Sequence, residues 1–122
     1  MPIRYVVDLE SRMLSADAEG DISFREAADF LDAISAQLGF RKLFDSREAT
    51  SSMAPDEVLE LVWQIRSFHD KGPIGPLAML VTQDQANRFT PLLGALAAAE
   101  RRMKLFRSRQ KAKDWLMLQQ AY

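Results

Sequence analysis

The sequence predicts one α/β domain with a mixed sheet of about five strands and four helices, in the order β-β-α-β-α-β-α-β-α. Three observations carry that prediction. The first two apolar segments alternate with period two, as paired strands do. From residue 21 the period changes to that of a helix. Strand-like and helix-like segments then take turns to the C-terminus, and one of them, "LAMLV" at 77–81, is apolar throughout, as a strand covered on both faces would be.

In "IRYVVDLE", Ile3, Tyr5, Val7 and Leu9 alternate with Arg4, Val6 and Asp8, and predict the first strand. A turn at Ser11–Arg12 leads into "MLSADAEG", where Leu14, Ala16 and Ala18 alternate with polar positions. This second strand is expected to pair antiparallel with the first and to end at Gly20. In "DISFREAADFLDAISAQLGF", Ser23 and Glu26 form a capping-box pattern. Phe24, Ala27, Ala28, Leu31, Ile34 and Leu38 share a face, and Gly39 is the expected stop. "RKLFDS" is the third strand.

The second helix is "APDEVLELVWQIRSFHDKG". Val58, Leu61, Val62, Ile65 and His69 form its apolar stripe, and Pro55, Asp56 and Glu57 suit its first turn. After the "GPIGP" loop comes the apolar strand, then "QDQANRFTPLLGALAAAERRMK" as the third helix. Its start is expected at Thr90–Pro91, with an earlier start and a kink at the proline as the other option. "LFRS" is the last short strand. Ser108 caps a final helix expected to bury Ala112, Trp115 and Leu116 with Leu118.

Composition narrows the function classes. A chain of 122 residues suits one domain, 1–122. There is no cysteine, which excludes disulfides, thiolate chemistry and cysteine metal sites. "MPIRYVVDLE" holds no signal-peptide run and no window is long and apolar enough to span a membrane, so the expected location is the cytoplasm. Residues 1–61 carry 13 acids and 6 bases, residues 62–122 carry 4 acids and 10 bases, and the net charge is −1. This split allows complementary faces within one chain or between copies. "RRMKLFRSRQKAK" at 101–113 is basic but lacks the interleaved aromatics of a nucleic-acid site.

No catalytic constellation is visible, and no cofactor or metal is expected. His69 beside Asp70 lacks a nucleophile and an oxyanion site, and its place in the last turn suits the helix dipole. One histidine without cysteine makes a metal site unexpected. "GPIGP" has two prolines, which remove the N–H donors a phosphate loop needs. Leu59 and Trp63 lie four residues apart on a helix face turned away from the apolar stripe, which makes them a candidate contact face. Met53, Met79, Met103 and Met117 read as core filler or as the walls of an apolar pocket. Thr82, Gln83 and Asp84 follow the apolar strand, where open α/β sheets place ligands.

The opening hairpin ending in "AEGDISFREAADFLDAI", the strand "KLFDSRE", the helix start "MAPDEVLEL", the strand "LAMLV" and the ending "KLFRSRQKAKDWL" together resemble the SpoIIAA-like family. That family shares the STAS fold of anti-sigma-factor antagonists and transporter regulatory domains. The resemblance covers nearly the whole chain. It implies a STAS-like domain and a regulatory, non-enzymatic role in contacting a protein partner near the start of the second helix.

It also implies a phospho-acceptor there, within a motif similar to Asp-Ser-Ser-Gly. This chain has "TSSMAPDE", with Thr50 in place of the aspartate and Met53 in place of the glycine. The candidate regulatory loop is therefore 46–54, with Ser46, Arg47, Ser51, Ser52 and Met53. The residues alone read Ser51 or Ser52 as the helix cap. The alternative function is a module that binds a lipid, a nucleotide or another anion.

Overall fold

The computed structural model describes residues 3–88 and 103–121, the side chain of His69 excepted. Five strands form one sheet in the spatial order β1-β2-β3-β4-β5: β1 (Ile3–Asp8), β2 (Met13–Asp21), β3 (Arg41–Thr50), β4 (Leu77–Leu80) and β5 (Met103–Phe106). β1 and β2 are antiparallel, and every later pair is parallel. Connection length explains the difference. Four residues join β1 to β2 and allow only a hairpin, whereas parallel neighbours need a crossover. The helices are α1 (Phe24–Ala33), α2 (Pro55–Ser67), α3 (described over 83–88) and α4 (Arg109–Met117). The expected fold class and element order are observed.

The hairpin is tied by its own first strand. The Asp8 carboxylate accepts the N–H groups of Glu10 (3.0 Å) and Ser11 (3.4 Å), which lets Arg12 take a left-handed conformation (φ 53°). Successive residues of β3 then serve opposite layers. Leu43 packs with Ala78, Leu80, Ala112 and Leu116 under α4. Phe44 faces the other way, against Phe30 of α1 at 5.6 Å between ring centroids, and Tyr5 meets the same Phe30 edge-on at 5.7 Å. On α2, Val62 is buried and Val58, Leu61 and Ile65 are half-buried, as the stripe requires. Gln64 clasps α2 to α1 through Asp32 (3.1 Å) and the Ala28 carbonyl (3.4 Å).

Several boundaries differ from expectation. α1 stops at Ala33, and Ile34–Gln37 continue as a 3₁₀ turn, so Leu38 is off the helix. Gly39 is not a left-handed stop. The carbonyls there are satisfied otherwise: the buried Lys42 ammonium donates to Leu38 (2.6 Å) and Phe40 (2.9 Å), and the Gly75 N–H donates to Leu38 (2.8 Å). β2 runs one residue past Gly20, whose φ of 72° is absorbed inside the strand end.

α3 begins at residue 83, the earlier of the two expected starts. Thr82 and Gln85 form a capping box: Gln85 N–H to Thr82 Oγ1 is 3.2 Å and Thr82 N–H to Gln85 Oε1 is 3.0 Å. Thr90 and Pro91 lie outside the described residues. α4 buries Ala112 and Leu116 as expected but only half-buries Trp115, and Met117 and Leu118 are exposed, Leu118 lying just past the helix end at Met117.

Two substitutions test this packing. Leu116→Ala, at a fully buried site under the sheet, lowers unfolding free energy by about 2–5 kcal/mol in urea denaturation. Gly75→Ala drives a methyl into the carbonyl oxygens of Phe40 and Gly39 and lowers it by about 1–3 kcal/mol.

Candidate functional site

The C-terminal ends of β2, β3 and β4 gather most of the polar residues that the sequence singled out. Asp17 of β2 pairs with Asp45 of β3, but Glu19 pairs with Glu48, so β3 takes one extra residue between them. The bulge falls at Ser46–Arg47. Both residues therefore belong to a strand and not to the expected loop 46–54, because β3 extends to Thr50. A bulge re-aims side chains, and here it separates two neighbours. Ser46 turns inward, buried, and donates its hydroxyl to the Leu80 carbonyl (2.9 Å). Arg47 folds back onto Asp45.

Asp45 is the centre of a small charge cluster. Arg47 grips its two oxygens through Nε (3.0 Å) and Nη2 (2.9 Å), and the Arg47 N–H adds a third bond (3.1 Å). Arg109, the first residue of α4, approaches Asp45 at 3.5 Å and Asp17 at 3.7 Å. The hydrogen bond from the Arg47 side chain outweighs partial burial and holds the Asp45 carboxyl below the usual carboxylate range. Asp45 in turn raises the Arg47 guanidinium. On the other side of the bulge, Gln85 Nε2 donates to the carbonyls of Ser46 (2.7 Å) and Ala49 (3.0 Å). The strand end is thus fastened to α4 by charge and to α3 by an amide. The Ser46 hydroxyl hydrogen is engaged by the Leu80 carbonyl, so this serine joins β3 to β4.

Ser51 and Ser52 do not cap α2. Ala54 occupies the N-cap position, and the Glu57 carboxylate accepts the Ala54 N–H at 2.9 Å. The first turn is served by its own acid, which leaves the serines to other partners. Ser51 bonds the Ile22 carbonyl (3.3 Å) and accepts the Met53 N–H (3.2 Å). The exposed Ser52 hydroxyl meets Asp21 (3.1 Å). A phosphate on Ser52 would therefore stand against Asp21, with Asp56 and Glu57 in the adjoining helical turn. Met53 is half-buried beside them.

The outer face of α2 is as expected: Leu59 is 54% and Trp63 58% exposed. The Arg66 guanidinium lies 5.1 Å from the Trp63 ring centroid. No cluster of three metal-ligating side chains occurs among the described residues. The side chain of His69 lies outside them. The described residues also leave an apolar groove of about 700 Å3 between the sheet and α1–α2, walled by Phe30, Phe44, Val58, Leu61, Met79 and Met103.

Sequence reasoning missed three contributors. Gln85 was recoverable, since Thr82-x-x-Gln85 is a capping-box spacing. Phe30, the hub of the aromatic contacts, lies off the ideal apolar stripe. The bulge carries no glycine to announce it.

No family model and no curated protein matches the chain. Among solved structures it is similar to an uncharacterized protein of the DUF3478 family from Shewanella loihica PV-4, described as having a SpoIIAA-like fold. The TM-score is 0.64 over 93% of each chain, at 14% sequence identity. The chain has a SpoIIAA-like fold. Identity this low carries the fold and nothing of activity, and the SpoIIAA-like scaffold leaves function to the surfaces just described.

Two measurements probe this edge. Because the Asp45 carboxyl is depressed in the folded state, its contribution is full above the unfolded value near pH 4 and is lost as pH falls through the folded value. The stability difference between wild type and Asp45→Asn should hence be constant above roughly pH 5 and shrink below about pH 4. Ser52→Glu, which sets a carboxylate against Asp21, should lower the thermal midpoint, and added salt should narrow the deficit.

Proposed function

We propose that this chain is a non-enzymatic regulatory module of the cytoplasm that works by docking a partner protein on the outer face of α2. The observation that carries the reading is the exposed Leu59–Trp63 pair with Arg66 stacked on the indole. A large aromatic set beside an aliphatic neighbour and an arginine has the composition of an interface anchor. Asp56 and Glu60 are exposed on the same helix, so the patch has a polar rim on which a partner could be registered. The resemblance to STAS domains supports the same place, since that group meets partners around the start of its second helix. Among the described residues no helix is long and apolar enough to cross a membrane.

On this reading the module is switched by something other than a phosphate at Ser52. The acids around that hydroxyl oppose an added anion, and the only arginine close in sequence, Arg47, is engaged by Asp45. A second reading, a module for a small apolar or anionic ligand, is favoured by the groove beneath α1 and α2.

Affinity capture from native lysate, comparing wild type with the double variant Leu59→Ala/Trp63→Ala, tests the first reading. Partners bound through this face should be lost, and a purified partner should bind about 30-fold or more weakly to Trp63→Ala. Substituting Trp115→Phe leaves Trp63 as the sole indole, so its emission should shift when that partner is added. An unchanged set of captured proteins with a folded double variant rejects the surface.

A further inference from the structure

The free edge of β1 has a self-complementary pattern. Among the described residues β1 pairs on one side only, with β2, and its register runs unbroken from Ile3↔Ala18 to Asp8↔Met13. Exposed edges are usually blunted by a bulge, a proline or a charge in mid-strand. β1 has none of these between Ile3 and Asp8 except charges at two positions, and their placing is particular. Val6, 72% exposed, is at the centre. Arg4 stands two residues before it and Asp8 two residues after, on the same face of the strand.

We propose that this edge pairs with the β1 edge of a second copy of the chain, antiparallel, on a two-fold axis through Val6. In that register Val6 meets Val6, and Arg4 of each copy stands opposite Asp8 of the other. On the second face Tyr5 meets Val7. Other registers are worse. A slip of one residue brings Arg4 opposite Val7 or Leu9 and turns the α1 face of one copy to the α4 face of the other. A slip of two places Val6 opposite Arg4 or Asp8. The central register alone matches unlike charges and apolar pairs together, the combination that stabilises cross-strand neighbours.

It also accounts for exposures the single chain leaves unexplained. Val6 is 72% and Tyr5 41% exposed, and both lie along this edge. Arg4 already touches Glu19 at 3.4 Å, but both side chains are largely exposed, so the guanidinium is free to swing toward an Asp8 across the axis. With a net charge of −1, two copies repel little at long range. Pairing of this kind is isologous and closes after two copies, giving one continuous sheet of ten strands.

The test is the mass of the full chain by sedimentation equilibrium over a dilution series. Wild type should show a monomer–dimer equilibrium, weakened by added salt, and Val6→Lys should shift it at least about tenfold toward monomer. Arg4→Asp and Asp8→Arg should each be monomeric, since each sets like charges opposite one another. An equimolar mixture of the two should regain the dimer, because both cross-axis pairs are then restored. Asp8 also ties the hairpin turn, so a thiol provides a readout independent of that variant. The chain has no cysteine, and Val6→Cys should oxidise to a covalent dimer faster than Leu59→Cys. A wild type that stays monomeric throughout, or a dimer that survives Val6→Lys, overturns the proposal.

Discussion

The parallel pairing of β3 with both β2 and β4 is the constraint from which the remaining architecture follows. Parallel neighbours cannot be joined by a tight turn, so each connection has to leave the sheet and return to its starting edge. Helix starts consequently collect where the strands end. Ser23, Ala54, Thr82 and Ser108 are all N-cap residues on that one side, and three of the four turns are closed by an acid or amide three residues on: Glu26, Glu57 and Gln85. The crowding of polar groups at this edge is thus a product of topology before it is a sign of function. Gln85 illustrates the economy, since one side chain both caps α3 and holds the bulged strand.

β3 itself shows how two layers impose on one strand. Leu43 serves α4 and Phe44 serves α1, and an uninterrupted alternation would carry that division to the strand's end. The extra residue at Ser46–Arg47 breaks it. An inward serine and an Arg–Asp clamp result, and the clamp draws in Arg109 from α4. The basic C-terminal and acidic N-terminal halves of the sequence meet there, in agreement with the reading of the charge split as complementary faces within one chain.

The fold was largely legible because its signals are periodic. Alternation in β1 and β2, the capping box at Ser23, the proline-led start of α2 and the apolar β4 each obey local rules. What was lost depends on contacts between segments distant in sequence. The carbonyls after α1 and its 3₁₀ turn are satisfied by Lys42 and Gly75, and Gly39 takes no left-handed turn. The fate of Ser51 and Ser52 is decided by Ile22 and Asp21 across the β2–α1 junction. At the candidate site, the exposure of Leu59 and Trp63 followed from helical geometry alone, whereas assigning Ser46 and Arg47 to a loop failed because a glycine-free bulge lets a strand continue through polar residues.

The Leu38 carbonyl sits where three segments of the chain converge. It accepts from Lys42 at the start of β3 and from Gly75 at the approach to β4, so three stretches of chain share one oxygen. Moving the Leu38 segment away from β3 would strip a partner from the buried Lys42 ammonium, which is costly in a medium of low dielectric, and would leave the Gly75 N–H without its acceptor. The rim opposite the helix starts is therefore held as a single cooperative unit, in which partial opening is penalised more than its few hydrogen bonds suggest.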